Sequence, residues 1–238
     1  DVALVSAQID WGPALAALAA ITIVVGNVGA LGQTSIKRLL AWSSVAQAGY
    51  MLAGVVVSTR LGVQATVFYL AVCLVMNLAA FAVVVARERE TGLGDHIDAL
   101  RGLVVERPAL AWPMTLAMLG LAGIPATAGF IGKFFLIDAA VDGDYTWLGI
   151  VIVVGSMISL AYYLKVIAVM WSPRREPQGT AVVPALAGAD PAADPRPAGA
   201  EVVGLSVLSG AAILALGIVP QPLLELAQRA GEALPGLL

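Results

Sequence analysis

The sequence predicts an all-α, polytopic transmembrane bundle of about six spans, one of them a broken helix. Three observations carry this. Charged residues are 12% and hydrophobic residues 60% of the 238, with a mean hydropathy of +0.91, whereas a soluble domain carries about 25% charge. Apolar runs long enough to cross a hydrocarbon core of roughly 30 Å as helices recur six times, without the period-2 alternation of a membrane barrel. Finally, Trp11, Trp42, Trp112, Trp147 and Trp171 each fall within a turn or two of a run's end, where an amphipathic ring meets the headgroups. The composition excludes a water-soluble enzyme and a disordered chain, and a net charge of -3 excludes a polyanion binder. With one cysteine (Cys73) and one histidine (His96), the chain alone forms no disulfide and no Cys-ligated zinc or iron–sulfur site.

The runs cover approximately 13–31, 38–58, 63–86, 108–140, 146–171 and 200–220. Residues 1–172 thus hold the first five spans, and 200–220 the last. Basic residues fix the expected orientation. Lys37, Arg38, Arg87, Arg89, Arg101, Arg107, Arg174, Arg175 and Arg196 lie on one side, against Arg60 and Arg229 on the other. The positive-inside rule places the first side in the cytoplasm and both ends of the chain outside it. High Ala, Val, Gly and Arg suggest a GC-rich bacterium and hence its plasma membrane. Residues 173–199 contain six of the thirteen prolines and read as a flexible cytoplasmic linker that cannot bury a core. The tail, 221–238, has apolar residues at helical spacing, suited to lying along the membrane surface or a partner subunit. The chain opens on Asp1 with no leader before the first span, the pattern of a segment from a longer subunit.

Arginine outnumbers lysine ten to three, so each lysine invites the question of why arginine would not serve. Arginine cannot lose its proton, whereas a buried lysine can. Lys133 lies deep in the fourth span, and a charge there costs roughly 2.5–3.5 kcal/mol. Just before it, Pro125 removes an amide donor and clashes one turn back, and Gly123 and Gly129, with Gly132, loosen the backbone. The span over 108–140 is therefore expected to break near 123–129. Unpaired backbone at that depth survives only against protein or a wet cavity, so a hydrated pocket beside an amine is expected. Asp138, five residues on, is either a proton exit group or a helix-end residue in the headgroups. Lys165 either snorkels to an interface or relays protons near Tyr162 and Tyr163. Lys37 starts the second span and is expected to point inward, beside Arg38 as an interfacial anchor. Ser43, Gln47 and Tyr50 fall at i, i+4 and i+7 and share one helix face, either gluing helices or lining a water path. Asn27 and Asn77 read as packing hydrogen bonds, and His96 as solvated. No dinucleotide fingerprint, phosphate loop or catalytic triad is present.

Three segments resemble a known family. GNVGALGQTSIKRLLAWSSVAQAGYM (26–51), LAGIPATAGFIGKFFL (121–136) and GSMISLAYYLKV (155–166) are similar to the antiporter-like membrane subunits of respiratory complex I, NADH–quinone oxidoreductase. The third span lacks the histidines of L-type members, which places the resemblance nearest the N-type members, over residues 11 to about 220 without the linker. It implies the second of two inverted five-helix repeats plus a final helix, with the first-repeat helices absent from this sequence. It also implies a membrane-arm subunit of a proton-translocating NADH:quinone reductase, moving protons through a hydrated half-channel by lysine protonation coupled to quinone reduction elsewhere. No redox catalysis would occur on this chain. Flavin, iron–sulfur clusters and quinone would sit on partner subunits, and the partners would be other membrane-arm subunits and lipid, not nucleic acid. The resemblance carries the broken-helix lysine, terminal group of the half-channel, onto Lys133, and the lysine after the repeat's first helix onto Lys37. Trp42 replaces a usual tyrosine, and Gln47 stands where many N-type members have histidine; glutamine orients water but does not titrate. A subunit of a multi-chain cation/proton antiporter is the alternative, and a passive scaffold a third reading.

Overall fold

The computed structural model describes residues 2–91, 94–173 and 198–232, with side-chain surroundings for 11–91, 94–173 and 198–230. The helices are α1 (Val2–Leu31), α2 (Ile36–Val56), α3 (Arg60–Thr91), α4 (Leu103–Glu106), α5 (Pro108–Ala122), α6 (Ala128–Asp142), α7 (Thr146–Trp171), α8 (Ala200–Ile218) and α9 (Gln221–Glu232), with a 3-10 turn at Ile97–Leu100. By length and composition α1 (from Trp11), α2, α3, α7 and α8 each suffice to cross a membrane. Helices α5 and α6 are the two halves of an interrupted sixth crossing. Residues 174–197 of the expected linker and 233–238 of the tail lie outside the described residues.

Small residues let the helices approach closely, the usual basis of association where lipid is as apolar as the side chains. Gly26 of α1 sits on the backbone of Ala46, and Gly49 of α2 on that of Ile23. At the end of the bundle carrying most of the basic residues, a short bridge between Ser35 and His96 ties the α1–α2 turn to the loop after α3. Ile36 donates to the Asp95 carbonyl at 2.7 Å and Ile97 to that of Thr34 at 2.8 Å. Ser35 caps α2 by accepting from the Arg38 amide at 3.1 Å and also bonds the Asp95 carboxylate.

Four expectations are corrected. Helix α1 starts before residue 13 and runs through Pro13; proline deletes one helical hydrogen bond, a loss that flanking turns can absorb. Helix α3 does not stop at 86 but continues to Thr91, because its polar end is paired. Glu88 meets Lys37 at 2.6 Å, Arg87 meets Glu106 at 2.6 Å, and Glu90 meets Arg107. Arg87 is thus not a free loop cation; it is 4% exposed and also donates to the Ala99 carbonyl at 2.7 Å. His96 is half-buried rather than solvated, accepting from the Asp98 amide at the start of the 3-10 turn. The tail's α9 is amphipathic, as expected, and its Leu223, Leu224 and Ala227 pack within this chain, where α9 lies on α3.

The Arg87 pair yields a test. Replacing one partner of a buried ion pair strands the other, at about 3–5 kcal/mol when both are buried. Glu106 is 30% exposed on its side chain, so the expected cost of Glu106→Gln is nearer 2 kcal/mol. A fall of a few degrees in the thermal midpoint of the assembled protein is the expected result. An unchanged midpoint would mean that Arg87 is held by packing and the Ala99 carbonyl alone.

Candidate functional site: a lysine on the carbonyls of a broken helix

Helix α5 ends at Ala122. Gly123 takes φ +82, and the amides of Gly123 and Ile124 turn back to the carbonyls of Gly120 (2.9 Å) and Leu119 (3.0 Å). This is the Schellman ending that favours glycine in the left-handed position. In a continuous helix the Leu121 carbonyl would accept from residue 125, but Pro125 has no amide hydrogen. Ala122 would accept from Ala126, which is turned away at φ +71. Both orphaned carbonyls are taken by one amine: Lys133 Nζ donates to Leu121 at 2.8 Å and to Ala122 at 3.2 Å. The amine thus occupies the negative end of the half-helix dipole.

Helix α6 resumes at Ala128 with Thr127 extended before it. The interruption therefore spans 123–127, shorter than the expected 123–129. Gly129 is not part of it. It lies inside α6, where a Cβ would collide with the Gly120 carbonyl, so this glycine lets α6 press on the end of α5. Gly132 likewise receives the ring of Tyr69.

Around Lys133, which is 4% exposed, α1, α2, α3 and α7 contribute two buried hydrogen-bonded chains. In the first, Tyr69 donates to Gln47 Oε1, and Gln47 Nε2 donates to Tyr163 Oη at 3.2 Å. Tyr163 shares a hydrogen bond with Ser43. Gln47 Nε2 also reaches the Leu121 carbonyl at 3.5 Å, the oxygen that Lys133 holds. In the second, Tyr162 donates to Asn27 Oδ1 at 2.9 Å and Asn27 Nδ2 to Tyr50 Oη at 3.0 Å. Lys133 Nζ lies 5.0 Å from the centre of the Tyr50 ring, a cation–π distance. The lysine therefore adjoins both chains, the first through the shared Leu121 carbonyl and the second at the Tyr50 ring. Each uses its tyrosines as apolar bodies with a polar tip that needs a partner once buried.

Of the residues singled out from sequence, Lys133, Ser43, Gln47, Tyr50, Tyr162 and Tyr163 are brought together here. Three are not. Lys37 pairs with Glu88 at the basic end of the bundle. Lys165 is exposed, donating to the Gln33 carbonyl at 3.3 Å, and does not join the buried tyrosines. Asp138 is exposed, about 140° around the helix from Lys133. Two members escaped sequence reading. Asn27 is a junction of the cluster rather than a packing bond only. Tyr69 carried a faint signal, since a tyrosine that turns into the bundle must find a partner for its hydroxyl.

A cavity of about 250 Å³ lies beside Lys133 between α6 and α7. Of its lining side chains only Lys133 and Ser156 are polar; Phe130, Phe134, Val153, Met157 and Leu160 form most of the wall. This cavity adjoins the amine where a pocket was expected. The polar surroundings of the amine are the hydroxyl and amide chains, and the adjoining space is largely apolar.

The sequence matches the family described as NADH:quinone oxidoreductase/Mrp antiporter, TM, over residues 2–159. It is 40% identical over 225 residues to NADH-quinone oxidoreductase subunit N 2 of Solibacter usitatus, covering 94% of this chain and 43% of that protein. Identity is also 40% over 226 residues with subunit N of Heliobacterium modesticaldum, covering 94% and 44%. A chain of respiratory complex I from Thermus thermophilus shares the fold with a TM-score of 0.73 at 27% identity, covering 96% of this chain and 46% of that one. A chain of the Mrp complex from Dietzia sp. DQ12-45-1b gives a TM-score of 0.80 at 26% identity, covering 95% and 48%. The chain spans a little under half the length of the relatives it matches.

Proposed function

Because the chain belongs to the membrane-subunit family shared by NADH:quinone oxidoreductases and Mrp antiporters, we propose that it is the C-terminal part of subunit N of a proton-translocating NADH–quinone oxidoreductase. In this reading it is a multi-pass segment of a bacterial plasma membrane, with both ends outside the cytoplasm. It works among other membrane-arm subunits, while flavin, iron–sulfur clusters and quinone are held by partners. Lys133 is the group that gains and releases the proton. The observation that carries the proposal is its position: one buried amine satisfies two carbonyls freed by Pro125 and Ala126 and stands at the head of a buried hydrogen-bonded chain. A neutral amine still has two N–H donors for these carbonyls, so the cap survives loss of the proton. Gln47, Tyr163 and Ser43 form the chain toward the basic end. Gln47 does not titrate, so it orients donors and water rather than holding charge. Lys37 stays at the entrance beside Glu88, and Lys165 and Asp138 serve as secondary groups near the surface.

The experiment is Lys133→Ala in the assembled complex, reading proton translocation against NADH–quinone turnover. Assembly with a lowered thermal midpoint, and translocation lowered several-fold per complex assembled, are expected. An unchanged proton stoichiometry would leave only the scaffold reading. A second reading, a subunit of a cation/proton antiporter, draws on the higher TM-score with the Mrp complex. Co-purification with an NADH-oxidising peripheral arm separates the two.

A further inference from the structure

Helix α8 lies outside the cluster around Lys133, and none of its side chains enters it. Its end nevertheless meets the interruption itself. A Cβ built on Gly217 would stand 2.6 Å from the Ala126 carbonyl oxygen, 2.6 Å from the Thr127 carbonyl carbon and 2.7 Å from the Ala128 amide nitrogen. All three are backbone atoms, two in the segment joining α5 to α6 and one at the first residue of α6, so no side-chain rotation relieves the clash. Two further contacts hold α8 along the same half-helix. Gly210 sits against Pro113 of α5, its Cβ position 3.0 Å from Cα, and Ile213 lies 3.3 Å from the Cβ position of Gly120.

The segment under Gly217 is also the most strained in the crossing. Ala126 is a non-glycine residue at φ +71, a conformation that costs an L residue roughly 1–2 kcal/mol. Strain of this kind persists where surrounding structure over-determines it. Within the chain, the glycine surface of α8 is a backbone-to-backbone contact on that residue.

We propose that Gly217 is a positioning residue: the end of α8 rests on Ala126–Ala128 and holds the interruption in the shape that presents the Leu121 and Ala122 carbonyls to Lys133. The contact rests on geometry alone; its consequence for proton transfer rests on the function proposed above. A side chain at 217 forces the joint to move and loosens the carbonyl cradle without touching the lysine. Gly204, on the same helix, has nothing within 4 Å of its Cβ position and serves as the control.

The test uses the assembled complex with Gly217→Ala, Gly217→Val, Gly204→Ala and Gly204→Val. Two quantities are read: hydrogen exchange of amides over 123–133 and the proton-to-electron ratio. Gly217→Val is expected to speed exchange there on the order of tenfold and to lower the ratio, with Gly217→Ala smaller in the same direction. The Gly204 variants are expected to match wild type. If Gly217→Val does not assemble, Gly217→Ala against Gly204→Ala decides. Exchange unaltered by the Gly217 variant read, or an equal change in its Gly204 control, would overturn the proposal. Faster exchange with an unchanged proton ratio would uphold the contact and instead remove proton transfer from Lys133.

Discussion

Gly129→Ala is expected to prevent the two half-helices from docking, leaving little or no assembled subunit in the membrane. The added methyl group falls on the Gly120 carbonyl, a backbone atom at the end of α5, and beside Met76 Sδ at 3.2 Å. Overpacking a core ordinarily costs about 1–3 kcal/mol because side chains give way. Here the thioether can give way but the carbonyl cannot, so α6 must slide off α5 as a body. That motion also withdraws Lys133, one turn along α6, from the Leu121 and Ala122 carbonyls. The expected total lies beyond the usual overpacking range and is a large share of a marginal stability. Native-gel assembly of the complex checks it, with Gly204→Ala as the matched substitution in open space. Normal assembly of Gly129→Ala would mean that α5 and α6 do not meet as closely as described.

Lys133→Met is expected to destabilise the crossing more than Lys133→Arg does. Methionine keeps the length and apolar stem of lysine but donates no hydrogen bond. The Leu121 and Ala122 carbonyls would then stand unpaired at membrane depth, at about 1–3 kcal/mol each. Arginine retains donors for both oxygens, and the cavity that Lys133 lines offers space for the wider guanidinium. Part of the methionine loss is offset, since a buried ammonium no longer has to be desolvated. A net fall in the thermal midpoint for the methionine variant, and a smaller one for arginine, separates the amine's capping role from its proton chemistry. Equal stability of all three would mean that water, not the lysine, satisfies those carbonyls.

The interruption was legible because its cause is covalent. Proline lacks a hydrogen, and that loss is written at position 125 whatever surrounds it. Lys133 was legible because a charge in a long apolar run has no bland neighbour to explain it. The shared face of Ser43, Gln47 and Tyr50 followed from helical spacing, but its wiring did not. Ser43 and Gln47 meet Tyr163, whereas Tyr50 turns to Asn27. Which hydroxyl reaches which amide depends on how α1, α2, α3 and α7 rotate about their axes, and periodicity in one helix carries no information about rotation against another. The same limit hid Tyr69 and the pairing of Lys37 with Glu88. The end of α3 was misjudged for a related reason: charges mark a helix end only while unpaired, and Arg87, Glu88 and Glu90 all have partners from other segments. Gly129 and Gly132 show the converse. Glycine signals both a loose backbone and a close approach, and only the neighbouring helix distinguishes them.

The most direct measurement is the proton-to-electron ratio of Lys133→Arg in the assembled complex reconstituted into sealed vesicles. Arginine preserves the donors on the broken helix and the positive charge but cannot release its proton. The expected result is a complex that assembles and oxidises NADH with a ratio clearly below that of the unmodified protein. A ratio equal to the unmodified one would contradict the account, because a permanently charged group would then serve where a proton is said to come and go.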